Sequence, residues 1–177
     1  MRRFILTGAP GAGKTVLLHQ LEREGFGIVE EAATDVIGLE QARGVAEPWT
    51  QSSFIDLVID LQKRRQQRAA HAPDDIQFHD RSAVCTAALA TFLGYPASQA
   101  MSHELERIER EGIFQRRVFF IRTMGFIKPT EARRISFEDA LRFEQVHEKT
   151  YREHGFEIAP IGPGSVLDRA ATIRLAL

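Results

Sequence analysis

Gly8-Ala9-Pro10-Gly11-Ala12-Gly13-Lys14-Thr15 fulfils the pattern G-x-x-x-x-G-K-[ST], and its neighbours supply the context that pattern needs. Arg3-Phe4-Ile5-Leu6-Thr7 reads as a buried strand running into it, and Val16-Leu17-Leu18-His19-Gln20-Leu21 as a helix running out. A strand, a glycine-rich loop and a helix in this order form a phosphate cradle. Glycines at 8, 11 and 13 let the backbone curl and aim successive N–H groups at a polyphosphate. The helix's first-turn N–H groups and its dipole favour the same anion. Lys14 offers a mobile cation to the β- and γ-phosphates, and the Thr15 hydroxyl suits the shell of a Mg²⁺ ion. The expected ligand is a nucleoside triphosphate, ATP in the first instance, held by residues 8–16.

The rest of the composition bounds what surrounds that loop. A chain of 177 residues suits one domain with a core that needs no staple. A formal net charge of −1 argues against nucleic acid as a partner. The longest apolar run, Ala83 to Leu93, is too short to span a bilayer, so no integral membrane contact is expected. Arg2 and Arg3 precede too few apolar residues for a signal peptide, and the single cysteine, Cys85, forms no internal disulfide. Both observations point to a cytoplasmic setting. Cys85 lies in an apolar helix and reads as a small core residue.

Further strands are expected at Phe26–Glu30, Ile76–Asp80, Arg117–Ile121 and Phe156–Pro160. A short helix is expected within 32–48, a strong one from Thr50 to about Ala70, and others over 82–92, 98–111 and 165–177. Ser136-Phe137-Glu138-Asp139 is a capping box that opens a helix to about His154. Strands alternating with helices predict an α/β fold, a five-stranded parallel sheet with helices on both faces. Ligands of such sheets gather beyond the carboxyl ends of the strands, where Glu31, Asp80, Arg122 and the 160–164 loop fall. That last loop is a candidate for holding the adenine edge.

Two absences narrow the class. The chain contains no asparagine, so the N-K-x-D motif of guanine-reading switch proteins is missing. The third strand ends His79-Asp80-Arg81-Ser82, without the adjacent second carboxylate usual in motor-type ATPases. Asp80 is the candidate Mg²⁺ ligand acting through water, or else a helix cap. Arg81 suits an anionic or polar second substrate, or else an ion pair with a nearby carboxylate. The six histidines show no metal spacing, and His79 reads as a hydrogen-bonded structural residue or else as one facing the cleft.

The phosphate loop, Val29-Glu30-Glu31-Ala32-Ala33, His79-Asp80-Arg81, Arg133-Arg134-Ile135-Ser136-Phe137-Glu138-Asp139-Ala140 and Tyr151-Arg152-Glu153-His154-Gly155-Phe156 together resemble the AAA-domain family of kinase-like P-loop proteins. That family includes the nicotinamide riboside kinase domain and a trafficking protein that binds nucleotide and phosphoinositide. The order of elements is more distantly similar to nucleoside and nucleotide kinases. The resemblance implies a three-layer P-loop NTPase sandwich with a short basic lid at about 122–135. With strand alternation, it places Glu31, rather than Glu30, at the mouth as general base for an acceptor hydroxyl, or else as a solvated loop glutamate. It gives Arg133 or Arg134 the task of closing over the triphosphate, with Lys128 and Arg122 as weaker candidates. Arg65 and Arg68 continue the apolar stripe of Leu61 and read as a solvated basic tail, or else point into the acceptor cleft; Trp49 and Phe54 read as core, or else as lining of an acceptor pocket. A Mg²⁺·ATP-dependent kinase of a small hydroxyl-bearing or phosphorylated metabolite is the expectation. A nucleotide-binding regulatory or trafficking module and a simple NTPase remain open alternatives.

Overall fold

Every residue from Phe4 to Thr7 is buried, because the strand they form, β1 (Arg2–Thr7), lies at the centre of a parallel sheet. The computed structural model describes residues 1–8, 11–122 and 137–177, with Phe137 described in its backbone alone. The remaining strands are β2 (Gly27–Val29), β3 (Ile76–Asp80), β4 (Arg117–Ile121) and β5 (Glu157–Ile161), in the order β2-β3-β1-β4-β5. Every strand pairing is parallel, with Leu6 opposite Asp80 and Thr7 opposite Phe120. The chain therefore reverses its direction of growth beside β1, and the crevice opens there above the carboxyl ends.

The connecting helices are α1 (Lys14–Arg23), α2 (Ala33–Ala42), α3 (Ser53–Ala69), α4 (Ala83–Leu93), α5 (Gln99–Arg110), α6 (Phe137–Glu153) and α7 (Val166–Leu175). Side chains alternate along β1, so Phe4 and Leu6 join the core under α1 and α7, while Ile5 joins the core under α3, α4 and α5. Covering both faces explains the nearly unbroken apolar runs of β1 and β4. On the α1/α7 side, Phe78 packs with Phe4 at 5.9 Å, Phe26 at 5.3 Å and Phe119 at 6.1 Å between ring centroids.

Some boundaries move from their expected positions. Residues Pro48–Thr50 form a 3₁₀ turn, closed by the Thr50 hydroxyl donating to the Glu47 carbonyl at 2.7 Å, so α3 starts only at Ser53. The second strand stops at Val29, ahead of the acidic pair. Phe156 lies outside β5 and packs edge-on against Tyr151 at 5.5 Å. Ala9, Pro10, Lys128, Arg133, Arg134 and Ser136, with nearly all of the expected lid, lie outside the described residues. Among the described residues no helix is long and apolar enough to cross a membrane.

Candidate active site

The loop backbone follows from two close approaches. Gly8 has φ +133°, and a Cβ there would sit 2.2 Å from the Ile121 carbonyl oxygen at the end of β4. Gly13, the cap of α1, has φ +82° and faces the Arg169 guanidinium, with 3.2 Å between Nη1 and the place of a Cβ. No side chain fits either position without strain. Lys14 begins α1 and folds back so that Nζ donates to the Gly8 carbonyl at 3.2 Å. Burial and the nearby Arg81 charge lower its pKa to about 8, against the opposing pull of Asp80 and Glu31. Thr15 and Val16 are exposed at the rim.

Glu31, Asp80 and Arg81 converge beside Lys14. Arg81 Nε lies 3.1 Å from Glu31 Oε1, and Thr34 Oγ1 donates to Glu31 Oε2 at 2.6 Å. Burial works against the Glu31 charge, yet Arg81, Thr34 and Lys14 outweigh it and hold the carboxyl below its ordinary range. Glu30, by contrast, is exposed. Asp80 is buried at the end of β3, and the cap of the next helix is Ser82, so Asp80 does not cap α4. Arg81 takes φ +74°, rare for a residue with a Cβ. Its N–H donates to the Leu6 carbonyl at 2.9 Å, which extends the β3–β1 ladder by one bond and holds the turn. Backbone strain of this kind collects at functional sites.

The surroundings of this cluster depend on helix packing. Arg65 of α3 reaches the carbonyls of Glu30 and Glu31 and the carboxylate of Asp35, fastening the start of α2. It is thus no solvated tail: a stripe position near the helix end carried it across to β2. Cys85 is buried as expected, but its sulfur contacts Arg81 Nη1 at 2.9 Å and His147 Nε2 at 2.8 Å. His147 sits at stripe position i+4 from Phe143 on α6, so its burial was legible, although its partner was not. Tyr151, one turn further, shares a hydrogen bond with Ser82 at 3.1 Å. His79 is buried edge-on to Phe114 at 5.0 Å, its Nε2 has no hydrogen-bond partner, and it lines the cleft beside Arg81, in line with the cleft-facing alternative.

Arg122 stacks on Phe120 at 4.7 Å and is engaged by Glu144 at 2.7 Å and by Glu148, both from α6. A cleft lined by Gln62, Arg65, Gln66, His79, Arg81 and Phe114 opens on the β2 side of the cluster. A second hollow, lined by Ile108, Gly112, Arg116 and His154, lies at the opposite ends of the strands, away from the loop. Trp49 and Phe54 pack in the core, as expected.

Among the described residues no three His, Cys, Asp or Glu side chains group as a metal site. One hydroxyl, Thr15, and one buried carboxylate, Asp80, fit Mg²⁺ in the way that ion prefers, with phosphate oxygens and water filling the remaining positions.

The sequence model of a family described as AAA domain matches residues 3–169. No curated protein sequence matches. Among solved structures, the NadR protein in complex with NAD and AMP-PNP superposes with a TM-score of 0.71 at 19% identity. That match covers 99% of this chain and 48% of NadR, so this chain spans about half of that protein's length. Deoxyadenosine kinase from M. mycoides with bound dATP superposes with a TM-score of 0.66 at 13% identity, covering 99% of this chain and 98% of the kinase. At these identities the likeness is one of fold, that of kinase-like P-loop proteins.

Proposed function

We propose that this chain, which belongs to the AAA domain family and has a kinase-like P-loop fold, transfers the γ-phosphoryl group of ATP to a small hydroxyl-bearing or phosphorylated metabolite, with a nucleoside-like acceptor the leading class. The observation that carries the proposal is the Glu31–Arg81 pair standing beside Lys14, with a cleft adjoining it. The adjoining cleft, more than the pair itself, favours an acceptor over water.

In this reading the acceptor enters from the cleft. Its hydroxyl meets the Glu31 carboxylate, which orients it and takes its proton as the new O–P bond forms and the bond to the β-phosphate oxygen breaks. A carboxylate held below its usual pKa is a weak base, which suits a transition state that is mostly metaphosphate-like and asks little of a base early on. Arg81 stays charged against Glu31, Asp80 and the Cys85 sulfur despite its burial, and it orients the acceptor or the moving phosphoryl group. Lys14 neutralises the phosphate chain. Mg²⁺, held by Thr15 and, through water, by Asp80, would supply charge neutralisation across the β- and γ-phosphates. Arg133 and Arg134 remain proposed as lid cations.

Support for an acceptor comes from similar proteins: one NadR structure is described as a complex with NR and one deoxyadenosine kinase structure as holding dCMP. Thermal-shift profiling with Mg²⁺·ATP and a metabolite panel tests the reading. ATP at about 100 times its dissociation constant adds about 2.7 kcal/mol, a rise of roughly 5–11 °C for a chain of this size. The true acceptor analogue adds a further rise only with nucleotide present, and ADP and phosphorylated acceptor appear in equal amounts. A nucleotide response with no acceptor response anywhere in the panel replaces the kinase by a nucleotide-binding regulatory module.

A further inference from the structure

Arg169 is the buried cation that the proposed function leaves unused. It lies on α7 with 4% of its surface exposed. Nη2 donates to the Ala12 carbonyl at 3.0 Å and, more distantly, to the Arg122 carbonyl at 3.5 Å. Nη1 packs against the Cα face of Gly13, and Nε has no hydrogen-bond partner. Among the described residues no carboxylate offsets the cost of its burial, which lowers its pKa. The adjacent Asp168 is turned away, accepting from the Ser165 hydroxyl at 2.6 Å at the helix start. A charged side chain buried without a counter-charge is costly and is kept only where something answers it.

The covalent geometry of the peptide shows what it does. The carbonyl and the N–H of one planar trans peptide point in opposite directions. A guanidinium gripping the Ala12 oxygen from behind therefore turns the Gly13 N–H the other way, toward the inside of the loop. Drawing electron density onto that oxygen also strengthens the N–H as a donor. The guanidinium's own field reaches the same space through a thin layer of backbone, where screening by water is weak.

We propose that Arg169 is a positioning residue for nucleotide: by holding the Ala12 carbonyl it aims the Gly13 amide at the phosphate chain, and the bound phosphates neutralise its buried charge. The arrangement also explains why position 13 must be glycine on the outer side of the loop as well as for its φ. The proposal rests on the nucleotide-binding half of the proposed function and not on transfer to an acceptor.

The test compares wild type, Arg169→Met and Arg169→Gln, with Arg174→Met on the outer face of the same helix as control. Calorimetric affinities for ATP and ADP are read beside the melting temperature of the unliganded protein. Arg169→Met is expected to weaken ATP and ADP together by about tenfold or more, because the Gly13 amide is no longer held toward the phosphates and the buried charge they neutralise is gone. Its unliganded melting temperature changes little, because removal of the uncompensated charge offsets the lost hydrogen bond to the buried Ala12 carbonyl. Arg169→Gln keeps a donor for the Ala12 carbonyl without the charge and falls between, and it decides the matter if the methionine variant does not fold. ATP affinity within about twofold of wild type in either folded variant overturns the proposal. So does a fall in unliganded stability at unchanged affinity, which is what simple packing of α7 predicts. A wild-type protein that binds no nucleotide at all removes the binding reading itself, a result distinct from both.

Discussion

Lys14 and Arg81 place two cations in one buried site, and the lysine yields because its charge is the easier to remove. Its folded pKa of about 8 lies below the ordinary 10.5, so between those values the unfolded chain holds more protons. Unliganded stability from this group therefore rises with pH across that window, and the full cost of the charged lysine is present below it. A phosphate chain reverses the balance, since an anion beside the amine favours its protonated form. ATP binding is accordingly expected to take up part of a proton at about pH 8.5 and to weaken as pH climbs further. Calorimetry in buffers of different ionisation enthalpy measures that uptake; proton release, or none, in this range would contradict the assigned place of Lys14.

At the scale of elements, the phosphate loop is shaped by its neighbours as much as by its own spelling. A Cβ at Gly8 collides with the Ile121 carbonyl of β4, a backbone atom that cannot swing aside. Gly8→Ala is thus expected to cost about 1–3 kcal/mol or more from backbone strain alone and to lose nucleotide binding. Gly38, inside α2, has nothing within 4 Å of a Cβ. Gly38→Ala is expected to stabilise by about 0.8–1.0 kcal/mol with nucleotide affinity unchanged. Chemical denaturation of the two variants side by side measures both, and a Gly8→Ala protein as stable as wild type would refute the close approach. Helix α6 belongs to this scale too: its stripe carries Phe143, His147 and Tyr151 into the core, and the offset Glu144 and Glu148 hold Arg122. One helix thereby backs the ends of β3 and β4 together.

For the whole molecule, burial of neutral histidines sets an acid limit. Burial, with Arg3 nearby, lowers the His79 pKa to about 3, and burial with the Arg81 and Lys14 charges lowers His147 well below its ordinary value. The unfolded chain protonates both from the ordinary value of 6.5 downward, so stability falls as pH drops through that value and keeps falling until the folded pKa is reached. His79 alone costs about 2 kcal/mol by about pH 5, and His147 acts in the same direction. The Glu31 pairing adds to the loss once pH falls below its unfolded value. Unfolding free energies for His79→Gln, measured from neutral pH to about pH 5, are expected to fall less steeply than for wild type. An unchanged slope would show that His79 titrates normally in the folded protein.

The phosphate loop, the number of strands and their parallel arrangement, and the gathering of Glu31, Asp80 and Arg81 at one end of the sheet were all legible in the amino-acid sequence. Those features follow from local rules: alternation and helical spacing are read between near neighbours, and glycines declare where the backbone must turn. The identity of Arg169 as a buried residue was also legible, for it completes the stripe Val166, Ala170 and Ile173 on α7. What it touches was not, because Ala12 lies 157 residues away in the chain. The same holds for Cys85 with His147 and for Arg65 with the end of β2. The partner of a buried charge is chosen by how crossover helices settle on the sheet, and periodicity says which face is inward without saying what waits there.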